Sequence, residues 1–518
     1  MTIGTPKTNA LLPYVAIFIV AAVSRLIVAY LFFGSVDIVN DTLDSARLVH
    51  GTVFSARVPY LPGVHLFLWL GGQLAARSHL PVAFCYKIFP CLFDSLIAVL
   101  IALSPVDRPR SLCLGYFYAL APVPVIVMAL QGQWDGVFLY FLILSNFLLR
   151  LGTRVGDLLA GAAFVLSVVA KPVAAPLIPF LFPAPWLVFG RRGERNAQMR
   201  TLILILAMGT TTLAYLLLLV AMHSPLGIAE VREIVAYTQH GVQLMGLPML
   251  HDFGLPRTIG LLSFVALLPA YWRGRLSRER AILLFFAFVL GICGSAPQYL
   301  SWIVPFAMLS GDLVFAALYN FLSGIVLLLF YRNPGTGGRN IENLGTYSPL
   351  RALAWLAPPL TDLHQRSLIV FYGGNLIIPL IAIAFFTVTL LRIARRAEPV
   401  VAPLPPATPR LRRAAVSSLL LVALLLVGFC LWAKLQPPIS GDELTQHIRA
   451  RIDAEYWCIR LKELNPITLA PIWGLPSFVD HTASARPVNA FSIGVAWTMI
   501  WTAAAFAGAI RMGKATSC

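Results

Sequence analysis

The sequence predicts an all-α polytopic membrane protein, and three observations carry that prediction. Hydrophobic residues make up 58% of the chain and charged residues only 12%, about half the charge of an ordinary globular domain. A soluble fold of this composition would leave large apolar patches in water. The apolar residues also fall in runs of about 20, the length that crosses a bilayer as a helix. In lipid the backbone must satisfy its own hydrogen bonds, so such runs are helices, and the short alternating segments of a β-barrel are missing.

About fourteen spans are expected on this length criterion. They lie near 12–34, 84–104, 111–130, 134–150, 155–171, 173–189, 201–222, 257–272, 281–296, 298–311, 312–331, 367–391, 414–432 and 491–510. The first run, Leu11 to Phe33, is too long for a signal-peptide core and lacks a small-residue cleavage site, so it reads as a retained anchor. The two runs flanking Pro297 are short and suit a broken helix. Residues 60–76, with Pro62 and a Gly-Gly pair, read as a helix lying in the interface. With that segment left uncrossed, the arginines fall on alternate connections. These are Arg108/Arg110, Arg150/Arg154, Arg191 to Arg200, Arg273 to Arg280, Arg392 to Arg413 and Arg511/Lys514, and all can be cytoplasmic together with Lys7. The formal charge of +17 is therefore an orientation signal, and no nucleic-acid partner is expected.

Four connections on the opposite side are long: 35–83, 223–256, 332–366 and 433–490. The last carries as many acidic as basic side chains and reads as a small folded cap. Glu398–Pro409 is Pro-rich and reads as a linker. The chain thus divides into a core over 1–330, an outer loop and one span over 331–397, a cytoplasmic linker over 398–413, and a C-terminal pair of spans over 414–518. No internal repeat is evident. The seven cysteines show neither CxxC pairs nor metal-ligand spacing and read as buried, inert thiols.

Polar residues at the membrane's outer edge carry the candidate chemistry. Asp37, Asp41 and Asp44 directly follow the first span and share one face if helical. Such close carboxylates raise one another's pKa unless a cation such as Arg47 answers. One of them, placed against an acceptor hydroxyl, is a candidate general base. Gln131, Gln133, Trp134 and Asp135 lie where one span ends and the next begins, and supply acceptors, donors and a stacking face suited to a sugar. Within the spans, Lys87 and Asp94 share a face, Lys171 sits at a helix break, and Arg25 is available to pair with Asp94. Lysines near the outer leaflet suit a lipid phosphate. Gln298 and Tyr299 follow Pro297 and would face a cavity, and His240 lies in an outer loop. The sequence holds no P-loop, no GxGxxG after a strand and no βαβ pattern, so a transferase of this build needs a donor already dissolved in the membrane.

Taken in order, these motifs resemble the GT-C superfamily of membrane glycosyltransferases. The likeness rests on the acidic outer loop, Pro59-Tyr60-Leu61-Pro62, Lys87 with Asp94, Gln131 to Asp135, Lys171-Pro172 and Pro297-Gln298-Tyr299, and covers roughly residues 10–310. The nearest branch is the bacterial one related to polyprenol-phosphate-mannose mannosyltransferases. The resemblance implies a GT-C-like bundle whose first outer loop carries interfacial helices. It implies inverting transfer of a mannose-like hexose or a pentose from a polyprenyl-phosphate donor to a glycan or glycolipid, outside the cytoplasm of a bacterial inner membrane. Asp37, then Asp41, is the implied base. Lys87, Lys171 and Arg57 are expected at the donor phosphate. Gln131, Gln133, Trp134, Asp135, Asp94, Gln298, Tyr299 and His240 are expected at the sugar or acceptor. No cofactor is expected, with a divalent metal left open. The chain departs from the family pattern in having three acids and no tandem Tyr-Pro-Pro, which leaves the choice of base open. The alternatives are a lipid or sugar transporter (a flippase) and an outer-leaflet glycan polymerase or ligase.

Overall fold

In the computed structural model the described residues are 11–34, 64–104, 108–185, 188, 195–221, 265, 267–292, 297–332, 343–346, 377–395, 428, 431, 435 and 490–515. They form a helical bundle with a single short strand pair. The elements are α1 (Leu12–Leu31), β1 (Phe32–Gly34), α2 (His65–Arg77), α3 (Val82–Ala102), α4 (Arg108–Ala119) and α5 (Pro122–Pro124), which runs into a π-helical turn, Val125–Leu130. Then follow α6 (Asp135–Leu149), α7 (Arg154–Ala170), a 3₁₀ segment over Pro172–Phe180, α8 (Arg195–Ala221) and α9 (Arg278–Ile292). A second 3₁₀ segment over Pro297–Trp302 leads into α10 (Ile303–Leu309), α11 (Leu313–Arg332), β2 (Asn343–Thr346), α12 (Ile378–Arg395) and α13 (Ala490–Ala515).

Four stretches among the described residues are long and apolar enough to cross a membrane: Leu12–Tyr30, Val82–Ala102, Arg110–Leu130 and Arg195–Leu217. The middle two are mostly enclosed, whereas the outer two expose apolar stripes. Val15, Ile19, Val23 and Ile27 recur every fourth residue along α1, and Leu202, Ile205, Leu206, Leu213, Leu216 and Leu217 line α8. In water these stripes would be a liability, and in lipid they are solvated. The chain is a membrane-embedded helical protein.

Two features depart from expectation. Residues 173–189, expected as an α-helical span, are instead 3₁₀ over Pro172–Phe180, because Pro172, Pro176 and Pro179 each lack the amide an α-helix would use. A strand pair, with β1 antiparallel to β2 and Phe32 opposite Thr346, joins the end of the first expected span, 12–34, to the outer loop 332–366 in a chain expected to be all-α. Helix α13 packs on α11, with Thr498 against Gly324, and the Trp497 and Trp501 indoles donate to the carbonyls of Leu120 and Phe117 at 2.8 and 2.7 Å. The 13 residues of α2 reach only about 20 Å, short of the apolar thickness of a bilayer. It lies on α3 through Phe67, whose ring meets Phe89 and Phe93.

A candidate functional site at one end of the bundle

Helix arithmetic assembles the site. Helices α6 and α7 have 15 and 17 residues and form an antiparallel hairpin around Gly152, whose φ of 63° closes the turn. Nearly equal lengths bring the first residue of α6 level with the residue after α7. These are Asp135 and Lys171. Pro172 disfavours helical backbone at Lys171, which is extended (φ −152°, ψ 117°), so α7 ends there. Asp135 sits in the first turn of α6, where the helix dipole favours a carboxylate.

The Lys171 ammonium pairs with Asp135 Oδ1 at 2.6 Å, and the Trp302 indole N–H donates to the same oxygen at 2.5 Å. Lys171 Nζ lies 4.4 Å from the ring centre of Tyr299, 5.0 Å from Trp302 and 5.8 Å from Phe138, within cation–π range. Tyr299 and Trp302 stack at 4.1 Å. The second carboxylate oxygen, Asp135 Oδ2, is buried without a hydrogen-bond partner. An orphaned buried polar atom costs about 1–3 kcal/mol, and more when charged. Folding alone does not explain its retention.

The neighbouring loop is held just as closely. The π-helical turn ends with the Gln131 and Gln133 amides bonded back to the carbonyls of Ile126 and Val127 at 3.0 and 3.1 Å. Gly132 follows at a φ of 75°. Gly136 must lack a side chain, because a Cβ there would lie 2.8 Å from the Pro90 carbonyl, and its amide donates to Met128 Sδ at 3.0 Å. Trp134 is buried and stacks on Phe67 of α2. Strand β1, the last described segment before the acidic stretch, touches this π-helical turn.

Two expected site residues have different work here. Asp94, expected at the sugar or acceptor, is saturated: Arg25 Nε pairs with Oδ2 at 2.6 Å and the Tyr118 hydroxyl donates to Oδ1 at 2.6 Å. Arg25 also donates to the carbonyls of Ala21 and Ala119. The fully buried triad ties α1, α3 and α4 together. Lys87, expected at the donor phosphate, is also fully buried and donates to the Leu130 carbonyl at 2.9 Å, which anchors the loop before Gln131.

The opposite end of the hairpin is an arginine-carboxylate network. Asp157 takes two bonds from Arg200 at 2.8 and 2.9 Å, and Asp312 takes a fork from Arg280. Glu279 is bonded by Arg150 and Asn146, and Arg278 reaches Asn146 Oδ1 and the Phe180 carbonyl. Glu279 precedes the apolar part of α9. Burial alone would raise its carboxyl, but Arg150, Asn146 and Arg278 outweigh that and hold it below the usual carboxylate range.

The structure therefore gathers Gln131, Gln133, Trp134, Asp135, Lys171, Gln298 and Tyr299 at one end, with Asp94 next to Gly136 but its carboxylate held by Arg25 and Tyr118. Asp37, Asp41, Arg57 and His240 lie outside the described residues. Among the described residues, no group of three or more His, Cys, Asp or Glu side chains stands ready for a metal. Trp302 was not singled out from the sequence, though its aromatic spacing from Tyr299, one helical turn on, places both on one face. No family model, curated protein or solved structure matches this chain.

Proposed function

We propose that the protein is an inverting membrane glycosyltransferase that moves a hexose or pentose from a polyprenyl-phosphate donor to a glycan or glycolipid on the outer side of a bacterial inner membrane. The observation that carries the reading is the convergence of three motifs far apart in sequence, Gln131–Asp135, Lys171–Pro172 and Pro297–Trp302, on one buried cluster opposite the arginine-rich end. If those arginines face the cytoplasm, the cluster faces out. About fourteen spans with both termini inside fit that orientation.

In this mechanism the acceptor oxygen attacks the anomeric carbon as the bond to the phosphate oxygen breaks. Polyprenyl phosphate leaves with the bonding pair, and Asp37, with Asp41 as the second choice, takes the acceptor's proton. A phosphate leaves readily once its charge is neutralised, so the protein supplies cations, positioning and a base. With Lys87 and Lys171 each engaged within the protein, Arg57 becomes the first cation to test at the phosphate.

The protein in nanodiscs, given a panel of polyprenyl-phosphate hexoses and pentoses with a glycolipid acceptor, should form a product of inverted anomeric configuration. Asp37→Ala should abolish it at unchanged expression and thermal stability. Full activity in that variant removes Asp37 as the base. No product from any donor, together with uptake of intact lipid-linked sugar across vesicles, replaces the transferase with a flippase.

A further inference from the structure

We propose that the Asp135–Lys171–Trp302 cluster is a subsite for an uncharged, hydroxyl-bearing group, the sugar of the lipid-linked substrate and not its phosphate, with Asp135 Oδ2 accepting from a sugar hydroxyl. The proposal rests on the reading that the substrate is a lipid-linked sugar, and it reverses the expectation for Lys171.

Charge decides the class of ligand. Among the described residues the cluster holds one carboxylate and one ammonium, 2.6 Å apart, whose charges cancel. What it lacks is a hydrogen-bond donor for one buried oxygen. A hydroxyl supplies that donor without adding charge. A phosphate brings mainly acceptors and would set negative oxygens against Oδ2. A cationic ligand would crowd the ammonium already bound at Oδ1. A metal ion would need several oxygen ligands, and no such group stands ready among the described residues.

Geometry points the same way. Trp302 and Phe138 are fully buried, whereas Tyr299 is half-buried and Lys171 keeps 12% of its side chain exposed. Tyr299 and Lys171 are thus the members of the cluster that reach its surface. A flat aromatic face beside a few fixed polar groups is the usual lining of a small-molecule site.

Two probes with the same tail and different heads test this on the full-length protein in nanodiscs: farnesyl mannoside, which is neutral, and farnesyl phosphate. The mannoside should bind, Asp135→Asn should weaken it at least tenfold, and farnesyl phosphate should change less than twofold in that variant. Tighter phosphate binding in Asp135→Asn with unchanged mannoside binding overturns the proposal, because it places the phosphate on the freed Lys171. Failure of the mannoside to bind the native protein overturns it as well. If the variant does not fold, monodeoxy farnesyl mannosides on the native protein ask the same question. One of them should lose tenfold, and equal binding of all of them sinks the idea. Asp135-dependent mannoside binding in a protein that transfers nothing would sink the transferase and leave the subsite standing.

Discussion

The two ends of the α6–α7 hairpin use the same chemistry to opposite effect. At the arginine end, Asp157 and Asp312 accept at both oxygens, and Glu279 takes a guanidinium and an amide at Oε1 with no oxygen orphaned. At the other end, a lysine and an indole crowd one oxygen of Asp135 and leave the second bare. A saturated network holds helices in place, and a partly satisfied one costs stability unless something else completes it. The contrast teaches where to look for function: at the carboxylate that folding has left unfinished.

Breaking the saturated end should cost the most stability. Glu279→Leu strands Arg150 in a buried setting, and losing one partner of such a pair costs about 3–5 kcal/mol. A thermal melt in nanodiscs reads it, and a melting temperature equal to the native protein's would place Glu279 outside the framework. The same end responds to acid with a defined sign. The folded Glu279 carboxyl lies below its unfolded value, so its contribution is present above the unfolded value and lost as pH falls through the folded one. Hydrogen exchange at 146–157 should therefore speed up only in strongly acidic buffer, and acceleration already near neutral pH would contradict that.

A smaller effect should sharpen the contrast from the other end. Gly136→Ala pushes a methyl against the Pro90 carbonyl, and overpacking of this kind costs about 1–3 kcal/mol. Because Gly136 adjoins Asp135, the change should lower farnesyl mannoside binding by more than it lowers the melting temperature of the arginine end. Equal loss at both ends would mean that the outer cluster is ordinary framework. The smallest effect belongs to Arg280 and Asp312, which are 39% and 22% exposed. A double-mutant cycle there should give about 0.2–1 kcal/mol of coupling, and a larger value would make this pair part of the framework too.

Much of this was legible beforehand, and the exceptions have physical causes. The four stretches long enough to cross a membrane, over α1, α3, Arg110–Leu130 and α8, follow from run length, and the Arg25–Asp94 pair follows from the cost of isolated charges in lipid. The meeting of Asp135 with Lys171 is implied by two antiparallel helices of similar length. The 3₁₀ segment was misread because its residues are apolar enough to pass as a span, although Pro172, Pro176 and Pro179 forbade an α-helix. The burial of Lys87 follows from its place in a span, but the Leu130 carbonyl that receives it does not. Trp302 reaches Asp135 from 167 positions away, a pairing no local pattern encodes.

Pro172–Phe180 has one further consequence. Its prolines fix φ before folding begins, so this stretch behaves as a stiff spacer with Lys171 at one tip. At its other tip the Phe180 carbonyl is clasped by Arg278 and the Tyr271 hydroxyl. The ammonium is thus indexed against the far face of the bundle. A lesion among the arginines at that face would arrive at the Asp135 cluster as a misplaced charge, with no residue of that cluster altered.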